Sequence, residues 1–257
     1  MWTAWWKAGM VAVVLGLASY AFGAAGEPEQ AVKDMKSMTV AELVKAGDAS
    51  RAVKDYLQAI DYLNEALRRE KKDPEIFNKL GLAQLAKGDT DSAQIAFQRA
   101  VKLNSKYADA LNNLGAVYFK EKNYNGAAKY FKKAVALDET RATFHVNLGA
   151  AWFSQKKLEK SMKEYGRALE LDPDVLSRTA RVGIAAQIAS PEERAKFFYE
   201  LAKIQAKRGD IDACLHCLMK AKENGYRELA NVYKDEQFTR VWSDPRLQEV
   251  VPAPAAK

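Results

Sequence analysis

The chain has 257 residues, of which 48% are hydrophobic and 28% are charged, and these proportions are ordinary for a globular protein. Its net charge of +7 is spread over 40 Lys and Arg and 33 Asp and Glu, without a long block of one sign. A nucleic-acid surface needs a basic stripe with aromatic side chains that stack on bases, whereas the aromatic residues here recur at apolar positions. We therefore expect no nucleic-acid partner. Two groups of lysines are interpreted as a solvated face: Lys129, Lys132, Lys133 and Lys156, Lys157, Lys160.

The segment 1–25 differs in composition from the rest of the chain. Lys7 is followed by an uncharged run, Ala8 to Gly26, that ends in small side chains. This order of features predicts a secretory signal peptide, but a run of this length would also suit an uncleaved membrane anchor. Both interpretations predict export, either into the periplasm or to an inner-membrane anchor that faces it, and the anchor adds membrane association through this segment. A polar linker at residues 26–38 follows.

Three units with a period of 34 residues follow one another from Pro74 to Pro173. Within each unit the apolar residues are three or four positions apart, which predicts amphipathic helices. A glycine in the first helix and a small residue in the second predict a close helix crossing, with an aromatic residue beside it. The recurring positions are Leu80, Gly81, Ala93, Phe97 and Ala100; then Leu114, Gly115, Ala127, Phe131 and Ala134; then Leu148, Gly149, Ser161, Tyr165 and Ala168.

This pattern resembles the tetratricopeptide repeat (TPR), a helix–turn–helix unit of the same length. The resemblance implies an all-α fold, a right-handed superhelical solenoid of antiparallel helix pairs that ends in a helical C-terminal cap. The predicted segments are a degenerate repeat at 39–73, repeats at 74–107, 108–141 and 142–175, degenerate TPR-like helices at 176–225, a cap at 226–251 and a disordered tail at 252–257.

The first, degenerate unit has two possible registers. Thr39 and Glu42 form a capping-box pattern, which predicts a helix that starts at Val40. The phase of the later repeats places Gly47 in the glycine position and the turn at residues 54–56. The other register places the turn at Gly47 itself. We prefer the first.

The C-terminal units also leave two interpretations open. A helix over 175–189 should stop at Ser190, and a further helix should run from Pro191 to about residue 207. By phase this is a second helix of a repeat, but a turn at Gly209 would make it a first helix that is followed by another at 211–222. The cap should cover the last apolar face with Phe238, Val241, Trp242, Leu247 and Val250.

Few residues suggest chemistry. Cys214 and Cys217 have the spacing of half a zinc site, but no second pair supplies the other two ligands. We interpret them as buried, packed cysteines that an oxidising compartment would allow to form a disulfide. His145 falls at an apolar position and is interpreted as packing. We predict no enzymatic activity, catalytic residues, metal site or cofactor.

The TPR resemblance implies a concave groove, lined by the first helices, that binds an extended peptide or a helix of a partner protein. Residues expected to face it are Lys79, Asn112, Asn113, Asn147, Phe119 and Phe153. We expect an exported scaffold or adaptor in envelope assembly or secretion. The alternative is an accessory subunit that binds glycans or peptidoglycan for an envelope enzyme. The positions of Trp152 and Tyr118 among the core residues weigh against a sugar groove.

Overall fold

The computed structural model describes residues 35–176 and 190–253, and every regular element within these ranges is helical. Consecutive helices pack against each other as antiparallel pairs, and successive pairs are stacked. The predicted all-α solenoid is therefore confirmed. The helices are α1 (Val40–Ala52), α2 (Tyr56–Arg69), α3 (Pro74–Lys87), α4 (Thr90–Leu103), α5 (Ala108–Lys120), α6 (Tyr124–Leu137), α7 (Ala142–Ser154), α8 (Leu158–Leu171), α9 (Pro191–Arg208), α10 (Ile211–Glu223) and α11 (Arg246–Val250), with 3₁₀ turns at Leu229–Tyr233 and Glu236–Phe238.

The helices begin and end at recurring positions of the 34-residue period, as α3 illustrates. The side chain of Asp73 caps α3 by accepting hydrogen bonds from the backbone N–H groups of Glu75 and Ile76. The helix ends at Gly88, whose φ of 98° is left-handed and favours glycine. The equivalent turn positions of the other repeats are Lys54, Lys122 and Lys156, with φ values of 66°, 60° and 61°. The backbone geometry of the turn is therefore kept even where the sequence lacks glycine.

The two helices of a repeat touch where the glycine meets the aromatic residue. A Cβ atom added to Gly81 would lie 2.6 Å from Cε1 of Phe97, and one added to Gly115 would lie 2.7 Å from Cδ1 of Phe131. Both rings are fully buried. The ring thus lies beside the helix crossing, as predicted, and it occupies the space that a side chain on the glycine would need.

The first unit adopts the register that we prefer from the sequence. Its turn lies at Lys54, and a Cβ on Gly47 would lie 2.9 Å from Cγ of Leu63. The alternative turn at Gly47 is wrong, since α1 continues through this residue to Ala52. Leucine therefore replaces the aromatic residue of the later units in the same contact.

Helix α9 is the first helix of a pair with α10, so its assignment by phase as a second helix is wrong. Gly209, with φ 82°, ends α9, and the side chain of Asp210 accepts the backbone N–H of Ala213 to cap α10. Counted from this turn, Ala202 occupies the glycine position and Leu218 the aromatic position, and both are fully buried.

The C-terminal segment covers the last helix pair with residues that the sequence only partly identifies. Phe238, Val241 and Leu247 are fully buried, as predicted. Trp242 is expected to help cover the last apolar face, but it is 40% exposed. Its indole Nε1 donates to the carbonyl oxygen of Val232 over 2.8 Å, which fixes the ring at the surface.

Several predictions fall outside the described residues. These are the signal peptide or anchor, most of the linker, the helix beyond Leu176 and the tail after residue 253. Within 35–176 and 190–253, no helix is both long and apolar enough to cross a membrane.

Candidate functional site

A chain of side-chain amides links the first helices of three successive repeats. Nδ2 of Asn113 in α5 donates to Oδ1 of Asn78 in α3 over 2.9 Å. One repeat further, Nδ2 of Asn147 in α7 donates to Oδ1 of Asn112 over 2.8 Å. Nδ2 of Asn78 in turn donates to the hydroxyl of Tyr107 over 3.3 Å. These four asparagines, which we call the amide chain, mark the inner face of the solenoid, where first helices contact one another.

The amide chain changes the role expected for Asn112, Asn113 and Asn147. The sequence predicts amides that are free to bind a peptide backbone, but each of them is already bonded to a neighbouring repeat. A side-chain amide has two donor hydrogens and an oxygen with two lone pairs. These three residues are half-exposed and use only part of this capacity, so they can still bond to a ligand.

Asn78, which the repeat pattern does not identify as a site residue, is only 5% exposed and anchors the amide chain at one end. The available signal is a spacing of 35 residues between bonded asparagines, one more than the repeat period. An alignment by repeat position compares only equivalent positions of the units and therefore does not show this pairing.

Lys79 lies on the inner face, but its charge is paired within the protein. Its Nζ is 2.5 Å from Oδ2 of Asp48 in α1 and 3.5 Å from Oε1 of Glu75. Partial burial alone would lower the pKa of Lys79, but the hydrogen bond and the negative charges of the two carboxylates outweigh it and raise the pKa. The lysine thus connects the first and second repeats instead of presenting a free cation.

The two phenylalanines expected at the groove have different surroundings. Phe119 is 5% exposed, and its ring centroid lies 5.1 Å from that of Tyr124, edge to face. The first turn of α6 thus covers it, and the expectation of a groove-facing ring is corrected. Phe153 remains half-buried against Phe197 and borders a cavity of about 240 Å³ together with Leu158.

His145 is more than the packing residue that the sequence predicts. It is 5% exposed, its Nδ1 lies 2.7 Å from Oε2 of Glu164, and its Nε2 lies 3.2 Å from the carbonyl oxygen of Glu139. Both ring nitrogens are therefore engaged, and the ring joins α7 to α8.

Cys214 and Cys217 are buried free thiols in α10. Burial is the main cause that raises the pKa of each thiol to about 12, and the negative charge of Asp210 adds to it at Cys214, while Cys214 and then Asp210 add to it at Cys217. Since the thiolate is the reactive form, neither sulfur is a nucleophile near neutral pH. In the described part of the chain, no three His, Cys, Asp or Glu residues are arranged to hold a metal ion.

Comparison with known proteins identifies the repeat. Two models of the tetratricopeptide repeat match the chain, one at residues 42–93 and 78–142 and the other at residues 118–182. Together they cover more than half of the chain. No curated protein sequence matches it.

Solved structures with the same fold share little sequence with the chain. MamA from Desulfovibrio magneticus RS-1 is 24% identical over 72% of this chain and 94% of its own, with a TM-score of 0.52. YrrB, described as a TPR protein with an unusual peptide-binding site, is 18% identical over 79% and 97%, with a TM-score of 0.51. PilF from Pseudomonas aeruginosa is 17% identical over 84% and 93%, with a TM-score of 0.54. At these identities the similarity supports the fold alone.

Proposed function

Because the chain belongs to the tetratricopeptide repeat family, we propose that it is an interaction scaffold that binds a segment of a partner protein on its inner face. The observation that carries this proposal is the amide chain, which runs across α3, α5 and α7 and keeps unused donors and acceptors on three half-exposed asparagines. The peptide-binding site named for YrrB supports it as an example from the same fold.

The spacing of the first helices suits an extended peptide. Packed helices lie about 10 Å apart, and a strand advances about 3.3 Å per residue. Each repeat would then contact the ligand at about every third residue. Amides bond equally well to any peptide backbone, so this face supplies affinity, whereas the side chains beside the amide chain supply selectivity.

We test the inner face with Thr143, which is exposed and lies one helical turn before Asn147 in α7. Thr143→Arg should reduce the affinity for a peptide selected from a random library by about tenfold. The long arginine side chain would block the peptide from the surface beside Asn147, and the loss of one hydrogen bond and of this contact together costs about 1.5 kcal/mol. Gln98→Arg adds the same charge to an exposed position of the second helix α4 and should leave the affinity unchanged. Equal effects of the two variants, measured by calorimetry, would refute the inner-face assignment.

We further propose that the scaffold acts outside the cytoplasm, in envelope assembly or secretion. The support is the sequence of residues 1–26, with one lysine before a long uncharged run. An alkaline phosphatase reporter fused after Pro28 should be active, since this enzyme needs an oxidising compartment for its disulfides. An inactive phosphatase fusion that is nevertheless produced in full would show that the segment does not direct export.

A further inference from the structure

The structure brings together the two lysine groups that the sequence separates. Lys129, Lys132 and Lys133 lie on the exposed side of α6, and Lys157 lies just before α8. All four border one cavity of about 500 Å³. We call this surface, with Lys160 at its edge, the lysine ledge.

The floor of the lysine ledge is the indole of Trp152. Nζ of Lys157 and Nζ of Lys160 lie 4.8 and 5.3 Å from the ring centroid, within cation–π range. The sequence places Trp152 among core residues, but the ring is half-exposed. The cavity wall on α6 is formed in part by Ala128 and Ala136, and these side chains are too short to cover an indole.

The sequence segment that contains the lysine ledge is strongly positively charged. Residues 120–163 contain ten Lys and Arg and four Asp and Glu, so this segment carries most of the net charge of +7. Among the ion pairs of the described residues, none includes a lysine of the ledge. Like charges that lie close together repel one another and destabilise the folded protein. A ligand with several negative charges would relieve this repulsion.

We propose that the lysine ledge is a second interaction surface, which binds an acidic segment of a partner protein. Carboxylates on successive residues can each meet one ammonium group, including the two that lie over Trp152, while the aliphatic parts of the segment pack on the two alanines. This surface is formed by α6, by Trp152 of α7 and by the start of α8, and it includes none of the asparagines of the amide chain.

The geometry favours a peptide over other polyanions. The ledge is an open depression, and a flexible segment can follow it more closely than a flat membrane surface can. Single-stranded nucleic acids bind through bases that stack on aromatic faces, and here two ammonium groups already lie over Trp152. The ledge has no arginine, the side chain that pairs with phosphate through two parallel hydrogen bonds.

The test uses the full chain and a fluorescein-labelled octaglutamate peptide, with binding followed by fluorescence anisotropy. At an ionic strength of about 0.15 M, where the Debye length is about 8 Å, Lys129→Glu combined with Lys133→Glu should weaken binding by at least about tenfold, because both local cations become repulsive charges. The matched control is Lys71→Glu with Lys72→Glu, which changes the net charge by the same amount at two exposed lysines after α2. It should alter the affinity by less than about threefold, because salt screens charges that are distant from the ledge.

Further variants and ligands separate binding at the lysine ledge from an effect of net charge. Equal losses in both double variants would overturn the proposal, because net charge alone would then account for binding. Tighter binding to anionic phosphatidylglycerol vesicles or to a single-stranded oligonucleotide, lost in the ledge variant, would overturn the choice of a peptide. Thr143→Arg should leave octaglutamate binding intact, so a failure of the inner-face proposal would be distinguishable from a failure of this one.

Discussion

Replacing Gly115 with alanine should destabilise the protein by about 2 kcal/mol. The added Cβ would lie 2.7 Å from the ring of Phe131, which is fully buried and cannot move aside. Overpacking of this kind costs about 1–3 kcal/mol, and we expect the upper end because the ring is rigid. The higher helix propensity of alanine returns about 1 kcal/mol. Chemical and thermal unfolding measure the change.

The matched control is Gly166→Ala in α8. A Cβ at this position would meet nothing within 4 Å, so only the propensity gain of about 1 kcal/mol should remain and the variant should be more stable than the wild type. If both alanine variants unfold at the same temperature, the close contact does not exist.

A compensating change tests the same contact from the other side. In the α9–α10 pair, Ala202 and Leu218 occupy the positions of Gly115 and Phe131. Gly115→Ala with Phe131→Leu would reproduce this combination and should unfold at a higher temperature than Gly115→Ala alone. Additive losses in the double variant would mean that the two residues do not contact each other.

Asn113→Ala should cost about 1–3 kcal/mol of stability, the penalty for a buried polar group that loses its partner. It removes the hydrogen bond to Asn78, whose carbonyl oxygen would then stay without a donor in a side chain that is only 5% exposed. Urea unfolding gives the difference in stability.

Asn147→Ala removes the equivalent hydrogen bond one repeat later and serves as the control. Its partner, Asn112, is half-exposed, so water can replace the lost donor and the cost should be only about 0.5 kcal/mol. A larger loss for Asn147→Ala than for Asn113→Ala would contradict the burial of Asn78.

The repeat itself could be predicted because its packing contacts recur at the same positions of each unit. Gly81 and Phe97 touch within one unit, so the alignment of units places them correctly. The 34-residue period does not predict the position of α9 within its repeat, since the sequence between Leu171 and Pro191 does not keep the period. By sequence, α9 can be aligned equally well with the first or the second helices of the earlier repeats. Only the turn at Gly209 decides between them.

The candidate site was harder to predict because it depends on contacts between units. Whether Phe119 faces a groove or the core depends on Tyr124, which belongs to the following helix. Trp152 is half-exposed because small side chains line α6 opposite it. A sequence pattern gives the face of a helix on which a residue lies, but not how far its neighbours cover it.

The inner-face proposal is tested most directly by hydrogen exchange of the full chain with and without the selected peptide. Amides of α3, α5 and α7 should exchange more slowly in the complex, while those of the second helix α4 should be unchanged. Protection confined to α4 and the other second helices, with α3, α5 and α7 unaffected, would contradict the assignment of the partner site to the inner face.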